Sequence, residues 1–183
     1  MVRINFGSGP FRLDGWINVD LDAETRPDVV ADLGRSAPFA TGTVDFIFSE
    51  DFISMLGLSG VRLFLRECRR ILKPQGAMRV LTPDLARLAR MYLDDPARLV
   101  GLWNRTVGVP VTTGTACEVV NLAMELAGRF QYDSATLIQL AADAGFDAVR
   151  VGYRQSGFAA FADLDLRQPD ESVSMYHELY PRA

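Results

Sequence analysis

Short, almost continuously apolar runs alternate with amphipathic helical patterns along most of the chain. Strands that are covered on both faces have this composition, and two parallel strands need a crossover connection between them. The alternation therefore predicts an α/β fold built on a doubly wound, mostly parallel sheet of about seven strands. The predicted strands are 2–6, 16–21, 29–31, 44–48, 77–81 and 148–153, with a last one near 173–179.

The patterns between these runs supply the helices. Residues 60–76 (GVRLFLRECRRILKPQG) repeat apolar side chains at steps of three and four, with arginines on the other face. Another helix is expected to begin at Thr82, as its N-cap, and another to run from Asp133 or Ser134 to Gly145. Alternating polar and apolar residues near the end of the chain indicate a final strand, expected to be antiparallel.

One stretch, residues 86–129, departs from this alternation. It contains two predicted helices, Pro96–Trp103 and Ala116–Ala127, and follows the fifth strand. Because such sheets bind ligands at the carboxyl ends of their strands, we interpret it as a helical lid or a wall on the substrate side. A peripheral pair of helices that only completes the core remains an alternative.

Composition and charge narrow the classes of function. The net charge is −4 and the positive residues are spread out, so the chain has no footprint for binding nucleic acid. Two distant cysteines and one histidine do not make a zinc site, and we expect no metal. No apolar run is long enough to cross a membrane and no signal-like segment is present, so we expect a cytoplasmic protein, for which a homodimer is compatible.

Residues that suit a nucleoside ligand follow the first four predicted strands. Residues 7–9 (GSG) follow the first strand, and glycine lets backbone amides approach a ligand closely. Asp20 and Asp32 end the second and third strands, and a carboxylate can accept hydrogen bonds from both hydroxyls of a ribose. Residues 49–51 (SED) end the fourth strand. The sequence thus predicts one acidic cleft at the carboxyl edge of the sheet.

These segments resemble the class I S-adenosylmethionine-dependent methyltransferases, which have a Rossmann-like fold. They are most similar to small predicted methyltransferases in which the glycine turn is followed by GWINVDLD. The resemblance is carried by NFGSGP, GWINVDLD, DVVADL, VDFIFSED and, most specifically, RECRRILKPQGAMRVLTPDL. It covers roughly residues 3–93 and implies a single methyltransferase-like domain over residues 1–183, with S-adenosylmethionine as cofactor. The implied reaction is methyl transfer by in-line displacement to a small-molecule or glycan acceptor.

The resemblance also implies contacts with the cofactor. The glycine turn would pass beneath the methionine portion, and the two aspartates would hold the ribose hydroxyls and the adenine amine. Leu21 and Leu33, which follow these aspartates, would lie against the adenine. Ser49 and Glu50 would lie near the sulfonium. The residues implied are Gly7, Ser8, Gly9, Asp20, Leu21, Asp32, Leu33, Ser49 and Glu50.

Three features depart from the family's pattern. Residues 8–15 are too few for the helix that usually joins the first two strands, and Pro10-Phe11 replaces a third small position. Asp51 stands where relatives often have a histidine, and the single histidine, His177, is expected in the core or at its rim. No catalytic residue is therefore assigned.

These departures leave open a second hypothesis, a degenerate member that acts as a non-catalytic binding or scaffold module. A nicotinamide-dependent oxidoreductase is disfavoured, because the acid follows the glycines after about half of the usual spacing of roughly twenty residues.

Overall fold

The computed structural model describes residues 1–182 and contains one seven-stranded sheet over that range. Its order is β3-β2-β1-β4-β5-β7-β6, in which β1 to β5 run parallel and β7 is antiparallel to both of its neighbours. The predicted Rossmann-like sheet with an antiparallel last strand is confirmed. The strands are β1 (Arg3–Phe6), β2 (Ile17–Asp20), β3 (Val29–Val30), β4 (Val44–Glu50), β5 (Leu72–Pro83), β6 (Phe146–Val151) and β7 (Ser174–Pro181).

In the described part of the chain, five α-helices accompany the sheet, together with two short 3₁₀ turns, Ala23–Thr25 and Ile53–Leu56. Within residues 1–182, no helix combines the length and the hydropathy that crossing a bilayer requires. The helices are α1 (Gly57–Ile71), α2 (Leu85–Asp94), α3 (Pro96–Thr106), α4 (Ala116–Leu126) and α5 (Ser134–Asp143).

Side-chain caps fix where two of these helices begin. The carboxylate of Asp133 accepts a hydrogen bond from the Thr136 N–H at 2.8 Å, which confirms the predicted start of α5. The predicted cap at Thr82 is wrong, because Thr82 lies inside β5. Asp84 caps α2 instead and accepts from the backbone of Ala86 at 3.0 Å. A carboxylate in this position satisfies amides that the first helical turn leaves free.

The two faces of the sheet are covered differently. On one face, α1 and α5 pack on the strands and bury a continuous apolar core. On the other face, Trp16 and Phe48 pack against Phe161, which belongs to the irregular segment 152–166. An irregular segment, rather than a helix, therefore closes this face.

A buried ion cluster ties that segment to the sheet. Arg79, on β5, is fully buried and donates to Asp165 from two nitrogens, at 2.7 and 2.5 Å. It also donates to Glu178 of β7 at 2.8 Å and to the carbonyls of Gly152 and Gln155. All five donors of a guanidinium can be used in such an arrangement, which offsets the cost of burying the charge.

The connection between β1 and β2 is a loop, residues 7–16, that contains no helix, yet the two strands are parallel. Two buried amide side chains hold it in place. Asn5 donates to Asn18 Oδ1 at 3.1 Å, and Asn18 exchanges two hydrogen bonds with the backbone of Leu13, at 2.8 and 3.2 Å. These bonds anchor a loop in place of the helix that usually connects two parallel strands.

Helices α2, α3 and α4 follow β5, as the sequence predicted, and form a unit with an apolar cluster of its own. Leu88, Leu99, Trp103 and Val119 are buried in it. The chain then returns to the end of β4, where the N–H of Arg129 donates to the Ser54 carbonyl at 2.8 Å. This arrangement brings the inserted helices to the carboxyl edge of the sheet.

Candidate functional site

The sheet order brings the carboxyl ends of the first four strands to one edge. Strands β3, β2, β1 and β4 are neighbours in that order, and Asp20 lies opposite Val30 in the register. The next N–H, that of Ala31, donates to the Asp20 carbonyl at 2.9 Å, so Asp32 follows immediately beside Asp20. The acids that the sequence places after separate strands therefore lie along one edge of the molecule.

The glycine turn is closely packed at Gly7, whereas at Gly9 it faces open space. Gly7 has φ +67°, and a Cβ there would lie 2.3 Å from the ring of Phe52, so only glycine fits. The amides of Gly7 and Ser8 both donate to the Val19 carbonyl. At Gly9, with φ +47°, no atom lies within 4 Å of the Cβ position. The space available to a ligand is therefore at Gly9.

Asp20 fastens this turn to β2. Its Oδ2 accepts from the Gly9 N–H at 2.7 Å, and its Oδ1 accepts from the Asp22 N–H at 2.9 Å. Each carboxylate oxygen has two acceptor sites, so both oxygens can still accept from a ligand hydroxyl. The neighbouring Leu21 is 66% exposed and offers an uncovered apolar surface beside this carboxylate.

At the end of β3, Asp32 is exposed to solvent, whereas Leu33 is buried. Asp32 accepts from the Gly34 N–H at 3.0 Å and pairs with Arg35 at 3.1 Å. Exposed ion pairs of this kind contribute little to stability, so the pairing with Arg35 leaves the Asp32 carboxylate available to a ligand. Leu33 is only 3% exposed and packs in the main core, so its side chain supports the strand end from within.

Buried polar atoms without a hydrogen-bond partner are concentrated at the same edge. Leaving such an atom unpaired costs about 1–3 kcal/mol, so each one calls for an explanation. Five of the six found in the described residues lie at the ends of β1, β4 and β5. They are Ser8 Oγ, Ser49 Oγ, Glu50 Oε1, Asp51 Oδ1 and Thr82 Oγ1. A bound polar ligand would supply the missing partners.

The two acids after β4 are electrostatically unusual. Burial, reinforced by the neighbouring charge of Asp51, raises the pKa of Glu50 to about 7. Burial also raises the pKa of Asp51, although Arg167 opposes the shift and donates to its Oδ2 at 3.1 Å. Asp51 adopts φ 52°, which is uncommon for a residue with a side chain. Glu50 can thus gain or lose a proton near neutral pH.

The sixth unpaired atom belongs to His177, whose position in the core is confirmed. Its side chain is fully buried on β7, and its Nε2 lies 2.7 Å from Ser134 Oγ. Burial lowers the pKa of His177 to about 4, so the ring is neutral at physiological pH. The charged groups that act on this ring are Arg150 and Asp84 rather than the acids after β4.

A cavity of about 390 Å³ lies between the inserted helices and the ends of β4 and β5. We call it the insertion chamber. Its size falls within the usual range for small-molecule sites, about 300–1,000 Å³. Apolar side chains of the helices line most of it, and charged side chains line the end next to β4. The walls include Leu88, Leu99, Leu102 and Trp103, and the charged end includes Asp51 and Arg167.

The sequence did not identify this chamber, although it placed the insertion on the substrate side. The lining comes from segments far apart in the chain, and Arg167 follows no recognisable motif. Thr82 was predicted only as a helix cap. The signal that could have found the chamber was Asp51, an acid at the strand end next to the predicted insertion.

A family model described as a methyltransferase domain matches residues 17–80, from β2 into β5. No protein of curated function matches the chain in sequence. Over its whole length, the chain superposes on an S-adenosylmethionine-dependent methyltransferase from Clostridium acetobutylicum. The TM-score is 0.60 at 10% identity, with 99% of this chain and 84% of the other covered. The fold is that of a class I S-adenosylmethionine-dependent methyltransferase. The resemblance stated from the sequence is confirmed for the fold and, at the level of sequence, for residues 17–80.

Two further structures show how broadly this methyltransferase fold is shared. One is a methyltransferase from Thermotoga maritima described as a possible histamine N-methyltransferase, with a TM-score of 0.57, 17% identity, and coverage of 99% of this chain and 82% of the other. Another is a glycopeptide N-methyltransferase complexed with sinefungin, with a TM-score of 0.56, 12% identity, and coverage of 99% and 80%.

Proposed function

We propose that the protein transfers a methyl group from S-adenosylmethionine to a small-molecule acceptor. The observation that carries this proposal is the group of buried, unpaired polar atoms at the ends of β1, β4 and β5. They lie at the carboxyl edge of the sheet, where folds of this kind bind ligands. The family model and the methyltransferase structures described above support the same class of reaction.

The residues at this edge fit the proposed cofactor in both shape and charge. The open space at Gly9 admits a ligand, and Asp20 retains acceptor sites for the ribose hydroxyls. The exposed carboxylate of Asp32 can accept from the adenine amine. The hydroxyl of Ser49 and the carboxylate of Glu50 would lie toward the sulfonium, whose positive charge favours the ionised acid. Bound S-adenosylmethionine supplies a methyl group on a positively charged sulfur.

The insertion, residues 86–129, would form the wall of the acceptor site. Direct methyl transfer depends on holding the acceptor in line with the methyl group and excluding water. The insertion chamber provides an apolar enclosure of suitable size beside the proposed cofactor edge. Most of its surface is apolar, which favours a compact organic acceptor over a glycan. A general base is needed only where the acceptor must lose a proton, and Glu50 and Asp51 lie next to the chamber.

Titration of the protein with S-adenosylmethionine in a calorimeter tests this proposal. Asp20→Asn keeps an oxygen for the Gly9 N–H but removes the charge, so the loop should stay in place. We expect cofactor affinity to fall about 10- to 100-fold, since hydrogen bonds to charged groups contribute about 1.5–3 kcal/mol. Asp14→Asn is the matched control, because Asp14 is an exposed aspartate of the same loop. Equal affinity in both variants would contradict the assigned role of Asp20.

Two observations favour the second candidate, a non-catalytic binding or scaffold module. The Phe52 ring fills the space above Gly7, and both oxygens of Asp20 already accept from backbone amides. No binding up to millimolar cofactor by the folded protein would support this alternative. Phe52→Ala then distinguishes a blocked site from a lost one, because removing the ring restores binding only where the ring is the obstacle.

A further inference from the structure

The insertion chamber has apolar walls and one acidic end. Asp51 lines it and keeps one oxygen, Oδ1, buried and without a partner. Its other oxygen is paired with Arg167, whose side chain is 49% exposed. Glu171 also lines the chamber, and Glu50 is adjacent to Asp51, so negative charges outnumber positive ones at this end. A buried carboxylate oxygen without a donor is strongly biased toward a ligand that brings N–H groups and positive charge.

We propose that the methyl acceptor is the nitrogen of an amine carried on an apolar or aromatic body. The amine would bind at Asp51, and the body would pack against Leu102 and Trp103 in the chamber wall. This inference deepens the proposed methyl transfer and rests on it. Trp103 is held in place for this role by its indole N–H, which donates to the Val109 carbonyl at 2.8 Å.

The reaction step balances with groups that are present or already proposed. The amine enters as an ammonium ion and passes one proton to the carboxylate pair, which leaves a lone pair on nitrogen. That lone pair forms a bond to the methyl carbon while the carbon–sulfur bond breaks, and its electrons remain on sulfur as a neutral thioether. The nitrogen becomes positive again and is released as a methylated ammonium ion. Glu50, which titrates near neutral pH, can accept the first proton and return it to water.

Other acceptor classes fit this end of the chamber less well. A neutral alcohol would leave the excess negative charge at this end uncompensated, and its oxygen is a poor nucleophile until a base removes the proton. A carboxylic acid would be repelled by Asp51 and Glu171, and Arg167 already shares its charge with Asp51. The amine alone satisfies both the unpaired oxygen and the excess of negative charge.

Calorimetric titration with three probes of nearly equal shape tests the inference: 2-phenylethylamine, 2-phenylethanol and 3-phenylpropionate. Each is titrated into the protein alone and into the protein saturated with S-adenosylhomocysteine. We expect the amine to bind at least about tenfold more tightly than the alcohol. Asp51→Asn should abolish that preference, and asparagine tolerates the left-handed backbone at this position. Asp94→Asn, at an exposed carboxylate that ends α2 and lies outside the chamber lining, is the control and should retain the preference.

A second variant tests whether the amine binds in the insertion chamber, and it leaves the charge of the chamber unchanged. Ala127→Phe places a ring in the chamber and should prevent binding of the amine while leaving the affinity for S-adenosylhomocysteine unchanged. Equal binding of the amine and the alcohol, or tighter binding of the acid, would overturn the amine inference and leave methyl transfer standing. If S-adenosylhomocysteine fails to bind, methyl transfer itself is refuted and the acceptor role with it, whatever the amine titration shows.

Discussion

Replacing Glu50 by glutamine should remove a pH-dependent loss of stability. The folded state holds Glu50 in a mostly buried position beside Asp51, which raises its pKa from 4.5 to about 7. An acid whose pKa rises on folding stabilises the folded state only while it is protonated. Its contribution is therefore fully present below about pH 4.5 and is lost as the pH rises through about 7. Glutamine has the same shape and no proton to lose.

The size of the effect follows from the shift. The rise in the pKa of Glu50 from 4.5 to about 7 sets an upper limit of about 3 kcal/mol on the effect. Partial access of water to the carboxylate lowers this limit, and we expect about 1–2 kcal/mol. The wild-type protein should thus lose that much stability, relative to Glu50→Gln, between about pH 5 and about pH 8.

Urea unfolding of both proteins at several pH values measures this difference, because all other titrating groups are common to the two. Glu125→Gln, at an exposed position of α4, provides the control and should follow the wild-type curve at every pH. A constant difference between wild type and Glu50→Gln across this range would refute the argument that burial dominates the ionisation of Glu50.

Three further outcomes follow from contacts described above. Arg79→Met should cost about 3–5 kcal/mol of unfolding free energy in urea, because it leaves buried carboxylates, including Asp165, without their counter-ion. Gly7→Ala should cost about 2–4 kcal/mol by the same assay, and adding Phe52→Ala should recover part of that loss, since the Cβ then has room. The preference for S-adenosylmethionine over its uncharged thioether product should grow about tenfold between about pH 6 and about pH 8. Calorimetry should show that Glu50→Gln abolishes this growth, since an ionised acid attracts the sulfonium.

Much of the fold could be predicted from local patterns. Apolar runs predicted the strands, and amphipathic patterns predicted most of the helices. The acids that follow strands predicted the edge of the sheet at which the unpaired polar atoms lie. These signals work because they lie within a few residues of one another. The start of α2 shows their limit, since Thr82 and Asp84 are both good caps and only the length of β5 decides between them.

The remaining features depend on contacts between distant residues. The ion pair between Arg79 and Asp165 joins positions 86 residues apart, so nothing near either residue indicates how the second face of the sheet is closed. The spacing of residues 8–15 excluded a helix between β1 and β2, but it did not indicate how a loop could join two parallel strands. In the structure this loop is held by Asn5 and Asn18, whose side chains look like ordinary polar residues of a strand. The insertion chamber likewise exists only once segments from both halves of the chain are assembled.

The separate apolar cluster of α2, α3 and α4 has a consequence for how this protein could change. Since these helices bury their side chains mainly against one another, substitutions among them leave the parallel strands and their acidic edge untouched. Under the proposed function, selectivity for the methyl acceptor and binding of the methyl donor can therefore evolve, or be engineered, as independent traits. A library of variants confined to these three helices would sample new acceptors without altering the strands and their acidic edge.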